Sequence, residues 1–167
     1  MTLTAEEIIR LLRLEPLSHE GGFFAENYRS GLLLPPPVLP HACGEPRHLC
    51  TAIYYLLTPE TSSRIHRLKG DEVYHFYLGD PVELLTLSPG GPGEVRHLGV
   101  HLAEGQRPQM VVPGGVWQGS RLQPGGRVAL MGTTMAPGFD FGDWEAGDGA
   151  TLAYAYPAFA DLIRALC

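Results

Sequence analysis

Ser63-Arg64-Ile65-His66, followed by Glu72-Val73-Tyr74-His75-Phe76-Tyr77-Leu78-Gly79 and, further along, by Pro113-Gly114-Gly115-Val116-Trp117-Gln118, decides how this chain folds. The stretch gathers an imidazole, a carboxylate and an amide onto two apolar strands that each end at a glycine turn. Successive strand residues point to opposite faces, so unbroken alternation places Glu72, Tyr74 and Phe76 on one face and Val73, His75 and Tyr77 on the other. A few polar groups on the inner face of short apolar strands are how a small β-barrel lines a ligand pocket.

Similar runs lie on both sides. Strands are expected at 23–30, 49–57, 63–68, 72–78, 82–88, 95–99, 110–112, 116–122, 127–135 and 139–141. The 21 glycines and 15 prolines fall mostly between these runs as turn punctuation, in Gly79-Asp80-Pro81 and Pro124-Gly125-Gly126 for example. Short strands at intervals of about ten residues predict an all-β sandwich or barrel. Thr4 with Glu7 forms a capping-box pattern, and Ile8, Leu11, Leu12 and Leu14 form an apolar helical stripe that Pro16 stops. A last helix over 157–166 carries Phe159, Leu162, Ile163 and Leu166 on one face. Residues 32–46, with Pro35-Pro36-Pro37 and Pro40, read as an exposed, mobile loop.

A chain of 167 residues is the size of one domain, and neither a repeat nor a linker divides it. A net charge of -6 without a run of lysines or arginines leaves no footprint for nucleic acid or an anionic membrane. There is no long apolar run and no basic start followed by an apolar stretch, so a soluble, cytoplasmic protein is expected. Cys43, Cys50 and Cys167 are widely spaced and suggest reduced thiols, not a disulfide framework or a zinc knuckle.

Several segments together resemble the cupin superfamily, and within it the Cupin_5 branch, described as a domain of unknown function. They are Glu20-Gly21-Gly22-Phe23-Phe24 with Tyr28-Arg29-Ser30, Thr51 to Leu57, Ser63 to Arg67, Asp71 to Tyr77, Val112 to Gln118, and Ala136-Pro137-Gly138-Phe139-Asp140-Phe141. The resemblance implies a double-stranded β-helix, the cupin jelly-roll barrel, with a small cavity between its sheets, and a homodimer. It names no reaction. The chain departs from the usual cupin pattern in two places, with Arg64 where the first histidine of a His-x-His pair stands and Gln118 where the second motif has its histidine.

His66 and Glu72 are the candidate catalytic pair: a carboxylate beside an imidazole fixes its tautomer and raises its basicity, which suits proton abstraction next to a carbonyl. The bland alternative is a buried pair that satisfies itself. Arg64 and Gln118 are candidate ligand anchors, Arg64 for a carboxylate or phosphate. Tyr28, Tyr74, Phe76 and Trp117 would supply an aromatic wall, and Glu26 and Gln109 flank it. His75 faces away unless a bulge reverses the alternation; His41, His48, His97 and His101 read as surface residues, and His19 lies near the pocket mouth. No cofactor is expected. The metal ligands on offer are His66, Glu72 and Gln118, of which the amide is a weak donor, so a divalent ion would be held poorly. Two function classes follow: an epimerase- or isomerase-like enzyme acting on a small polar metabolite such as a sugar derivative, or a protein that binds such a molecule without altering it. The polar amino-terminal strand is the edge that could add to a second copy.

Overall fold

The structure, a computed structural model, describes residues 3–39 and 45–167; the expectations for His41 and Cys43 lie outside the described residues. The all-β jelly roll is present as two facing antiparallel sheets. One runs in the order β1 (Glu15–Pro16), β2 (Phe23–Arg29), β5 (Thr51–Leu57), β12 (Ala129–Met135), β7 (Glu72–Gly79), β10 (Gln109–Val112). The other runs β13 (Trp144–Ala146), β6 (Ser62–Leu68), β11 (Trp117–Leu122), β8 (Val82–Leu87), β9 (Gly93–Leu98). A two-stranded ribbon of β3 (Leu33–Leu34) and β4 (Arg47–His48) stands apart, so part of the segment expected to be an irregular loop is paired.

Alternation explains the layers. Tyr55, Leu57, Tyr74, Phe76, Leu84 and Met131 point between the sheets and form the main core. Their neighbours of opposite parity face outward, where helices cover them. Helix α1 (Ala5–Leu12) packs Ile8 with Leu14 on Leu56, Val128 and Leu130 behind the six-stranded sheet, and its predicted capping box is formed. Leu11, expected in that stripe, is 54% exposed, because the helix ends one residue later and the sheet does not reach that side.

The carboxy terminus differs from expectation more. The expected strand at 139–141 is a turn in which the Asp140 side chain accepts from the Gly142 N–H at 2.8 Å, and a short strand follows at Trp144–Ala146. A helix not expected from sequence, α2 (Gly149–Ala155), is capped by Asp148 on the Thr151 N–H, and the helix expected over 157–166 follows as a 3-10 turn at Pro157–Phe159 running into α3 (Ala160–Ala165). Together they bury Leu152, Ile163 and Leu166 on Ile65, Leu85 and Leu87 behind the five-stranded sheet. Among the described residues no helix is long and apolar enough to cross a membrane.

Two features of the fold position the site. The first is a turn: Gly21 and Gly22 both have positive φ, and the Tyr55 hydroxyl donates to the Gly21 carbonyl at 2.9 Å, which brings Glu20 over the open end of the sandwich. A Cβ at Gly22 would fall 2.8 Å from the Tyr55 hydroxyl and 2.9 Å from the Leu56 carbonyl. The second is a bulge in β6: Ser63 pairs with Ser120 and His66 with Gln118, so β6 spends one more residue than β11 over the same span. Replacement Gly22→Ala is expected to lower stability by about 2 kcal/mol or more, from the left-handed backbone together with the clash, as measured by urea unfolding.

Candidate functional site

Ser63 and His66 are three positions apart, a spacing that simple alternation sends to opposite faces. The bulge brings both inside, where both side chains are buried, and leaves Arg64 exposed while Ile65 faces the carboxy-terminal helices. The backbone groups of Arg64 are used by the site: its N–H donates to the Glu20 carbonyl at 2.7 Å, and its carbonyl accepts from His66 Nδ1 at 2.8 Å. Since a carbonyl only accepts, Nδ1 carries a proton, and in the neutral ring Nε2 presents a lone pair. That Nε2 is buried without a hydrogen-bond partner in the chain and lies 3.7 Å from Glu20 Oε2. The other Glu20 oxygen accepts from Ser63 Oγ at 2.7 Å.

Glu72, on the opposite sheet, is also buried. The Gln118 side-chain amide donates to it at 2.7 Å, which leaves Gln118 Oε1 with no partner. Burial raises the Glu72 pKa above the ordinary carboxylate value and the negative charge of Glu20 adds to this, while His66 and hydrogen bonds from Thr133 and Gln118 pull the other way. Burial likewise pushes the Tyr55 and Tyr74 phenols well above their usual range.

A cavity of about 130 Å³ opens between the sheets beside these groups. Glu20, Glu72 and Thr133 supply polar groups to its wall, and Phe24, Phe139, Phe141 and Trp144 supply aromatic faces. His66 is stacked on Trp144, with ring centroids 6.1 Å apart, so it stands behind Glu20 and Trp144 and is not itself part of the wall. The His66–Glu72 hydrogen bond expected from sequence is not formed: Glu72 is bonded by Gln118, and the carboxylate nearest to His66 Nε2 is Glu20. Glu26 reaches the cavity edge but is held by Arg29, whose Nε donates to it at 2.8 Å. His19 also lies on the cavity edge, against Phe141.

Tyr74 is a core side chain whose hydroxyl lies beside Glu72, so that after burial the charges of Glu72 and Glu20 raise its pKa further. The other predicted residues are distributed elsewhere, Phe76 in the core. Tyr28 is 53% exposed, past a bulge between Glu26 and itself. His75 faces outward, bonding Thr134 Oγ1 and Gln109 Nε2 at 3.1 and 3.3 Å, so Gln109 is on the outer face as well. Trp117 packs among the carboxy-terminal helices under the Arg67 guanidinium, 4.4 Å from its ring. His48 is half-buried, with Nδ1 bonded to the Ser30 carbonyl. Glu20 and Trp144 were not singled out from sequence; one lies in a turn and the other in a three-residue strand, where periodicity carries no signal. The only cue was the Glu20-Gly21-Gly22 motif.

A divalent ion in the position implied by the cupin resemblance would need three or four good donors. Here His66 Nε2 is a free imidazole donor and Gln118 Oε1 a weak amide one, but among the described residues no group of three His, Cys, Asp or Glu is disposed to hold a metal. The donor set does not fit such an ion. One consequence of the raised Glu72 pKa is testable by pH. Its favourable contribution is complete below the pKa of the unfolded chain and is lost as pH rises through the higher folded value. Urea unfolding from acid to neutral pH is therefore expected to show wild type losing stability relative to Glu72→Gln across that window, with the variant relatively more stable at neutral pH than in acid.

Comparison with known proteins agrees with this fold. The family model described as Cupin superfamily (DUF985), Cupin_5, matches residues 6–147. The uncharacterized protein YML079W of Saccharomyces cerevisiae is 30% identical over 132 residues, which are 74% of this chain; the match spans 66% of the yeast protein's length. The crystal structure of protein SO0799 from Shewanella oneidensis superimposes with a TM-score of 0.85 at 34% identity, covering 99% of this chain and 98% of that one. A hypothetical protein from Leishmania major gives 0.87 at 30% identity, with 99% of each chain covered. The chain belongs to the Cupin_5 (DUF985) family of the cupin superfamily.

Proposed function

We propose that the cavity binds a small polar, ring-shaped metabolite such as a sugar derivative and performs acid–base chemistry on it of the kind epimerases and isomerases need. The observation that carries this reading is the presence of two carboxyl groups lining one cavity, with the unpaired Nε2 of a buried imidazole 3.7 Å from one of them. Glu20 is the group that removes a proton from a carbon next to a carbonyl. Ser63 orients it through one oxygen, and His66 stands beside the other, ready to share the proton. Glu72 is the returning acid, because burial and the charge of Glu20 favour its protonated form. The C–H bond breaks toward Glu20 as the electron pair moves onto the carbonyl oxygen; the pair then returns to the carbon, which forms its new C–H bond with the proton of Glu72, and the proton left on Glu20 passes back to Glu72 through solvent after release to restore the starting state. His66 is thus a positioning and proton-sharing residue, since Glu20 and Trp144 separate it from a guest.

The aromatic faces of Phe24, Phe139, Phe141 and Trp144 suit the C–H surface of a sugar ring, and the apolar enclosure strengthens every polar contact within it. A binding protein without chemistry would use the same wall, so the two readings separate on turnover. Incubating the protein in D2O with a panel of aldoses and ketoses, followed by NMR, is expected to show deuterium entering at the carbon next to the carbonyl. Glu72→Gln is expected to slow that exchange by about a hundredfold or more while the chain stays folded. A sugar that binds by calorimetry and never exchanges would instead identify a binding protein.

A further inference from the structure

We propose that the molecule this cavity takes carries a protonated amine, received by the Glu20 and Glu72 carboxyl groups, with the aromatic wall against its apolar body. The inference rests on the small-metabolite reading above and narrows its substrate class. It begins from an unbalanced inventory of donors and acceptors. Just behind the wall, His66 Nε2 and Gln118 Oε1 are buried acceptors without donors, the first against Glu20 and the second on the side chain that bonds Glu72, so the two carboxyl groups that do line the cavity have acceptors and not donors at their backs. Nε2 and Glu20 Oε2 face each other at 3.7 Å, too far for a direct hydrogen bond, and when the imidazole is neutral both are acceptors. A neutral His66 therefore leaves Glu20 Oε2 without a donor from the protein, and one from the cavity would satisfy it. A hydroxyl brings one hydrogen to such a site, and an ammonium group brings three.

The charges point the same way. Of the ionisable groups lining the cavity among the described residues, Arg29 is the one permanent cation, and its guanidinium is already engaged by Glu26 at the edge. That leaves Glu20 and Glu72 facing the interior, and the elevation of the Glu72 pKa by Glu20 is the same imbalance felt by the protein itself. A guest anion would meet two carboxyl groups, whereas a guest cation would pair with them where water is largely displaced. The walls also favour a cation: Phe139 and Phe141 meet edge to face at 5.1 Å, and Trp144 completes the aromatic lining next to His66. An ammonium group on the carbon to be deprotonated also makes that C–H bond more acidic. A 2-amino sugar is the member of this class that satisfies both the wall and the chemistry.

Three probes of one shape test the idea: cyclohexylammonium, cyclohexanol and cyclohexanecarboxylate, titrated by calorimetry at neutral pH into the wild-type chain, Glu20→Gln and Glu72→Gln. The amine is expected to bind the wild type at least about tenfold more tightly than the alcohol, and the carboxylate more weakly than either. Glu20→Gln is expected to weaken the amine by about tenfold or more and to leave the alcohol unchanged; should that variant unfold, Glu72→Gln gives the same comparison. Equal binding of amine and alcohol, or preference for the carboxylate, would overturn the inference, because His66 and Glu20 would then be satisfying one another as an ion pair. Deuterium exchange in a neutral sugar combined with no preference for the amine would defeat this inference and leave the proposed chemistry standing. Preference for the amine with no exchange in any sugar, glucosamine included, would do the reverse.

Discussion

The odd spacing of Ser63 and His66 is the constraint on which the site depends. Without an extra residue in β6, one of these side chains would face the carboxy-terminal helices, and Glu20 would lose either its hydroxyl donor or its imidazole neighbour. A bulge takes two residues out of the ladder, and their backbone groups must find partners elsewhere. Here the partners are functional on one side and structural on the other. Arg64 gives its N–H to Glu20 and its carbonyl to His66, while Ile65 gives its N–H to the Leu166 carbonyl and accepts from the Gly147 N–H. The same irregularity therefore fixes the imidazole, tethers the Glu20 turn and anchors the last helix.

Burying these polar groups is costly unless they are paired, and the pairing here is incomplete in one direction. Ser63, Gln118 and the backbone satisfy part of Glu20, Glu72 and His66, but His66 Nε2 and Gln118 Oε1 are left without partners behind the cavity wall. A fully satisfied core would have a partner for His66 Nε2. The jelly roll supplies the rigid walls on which these groups are held.

The fold was legible because its signals are local. Short apolar runs between glycine and proline turns marked most of the strands, and regular alternation in β7 correctly separated Glu72, Tyr74 and Phe76 from His75 and Tyr77. The site was only partly legible. Parity from His66 puts Arg64 inside, but the bulge puts it in solvent, and nothing in Ser63-Arg64-Ile65-His66 distinguishes the two courses. Glu20 reaches the site from a turn whose bond to Ser63 spans 43 positions, and Trp144 reaches it from a strand of three residues. Contacts of that kind arise from tertiary closure and leave no periodic trace. The helix at Gly149–Ala155 was missed because Asp148 as a cap, with Gly149 after it, is a weaker signal than the apolar spacing that marked the last helix.

The stacking of Trp144 on His66 has an optical consequence. The chain contains two tryptophans; Trp117 is packed beneath Arg67 among the carboxy-terminal helices, so Trp144 is the indole at the cavity. An imidazole stacked close to an indole, as here with ring centroids 6.1 Å apart, quenches its emission to an extent that depends on the imidazole's charge. Excited-state light from a Trp117→Phe chain would therefore read the ring beside it directly, giving occupancy and protonation without any label.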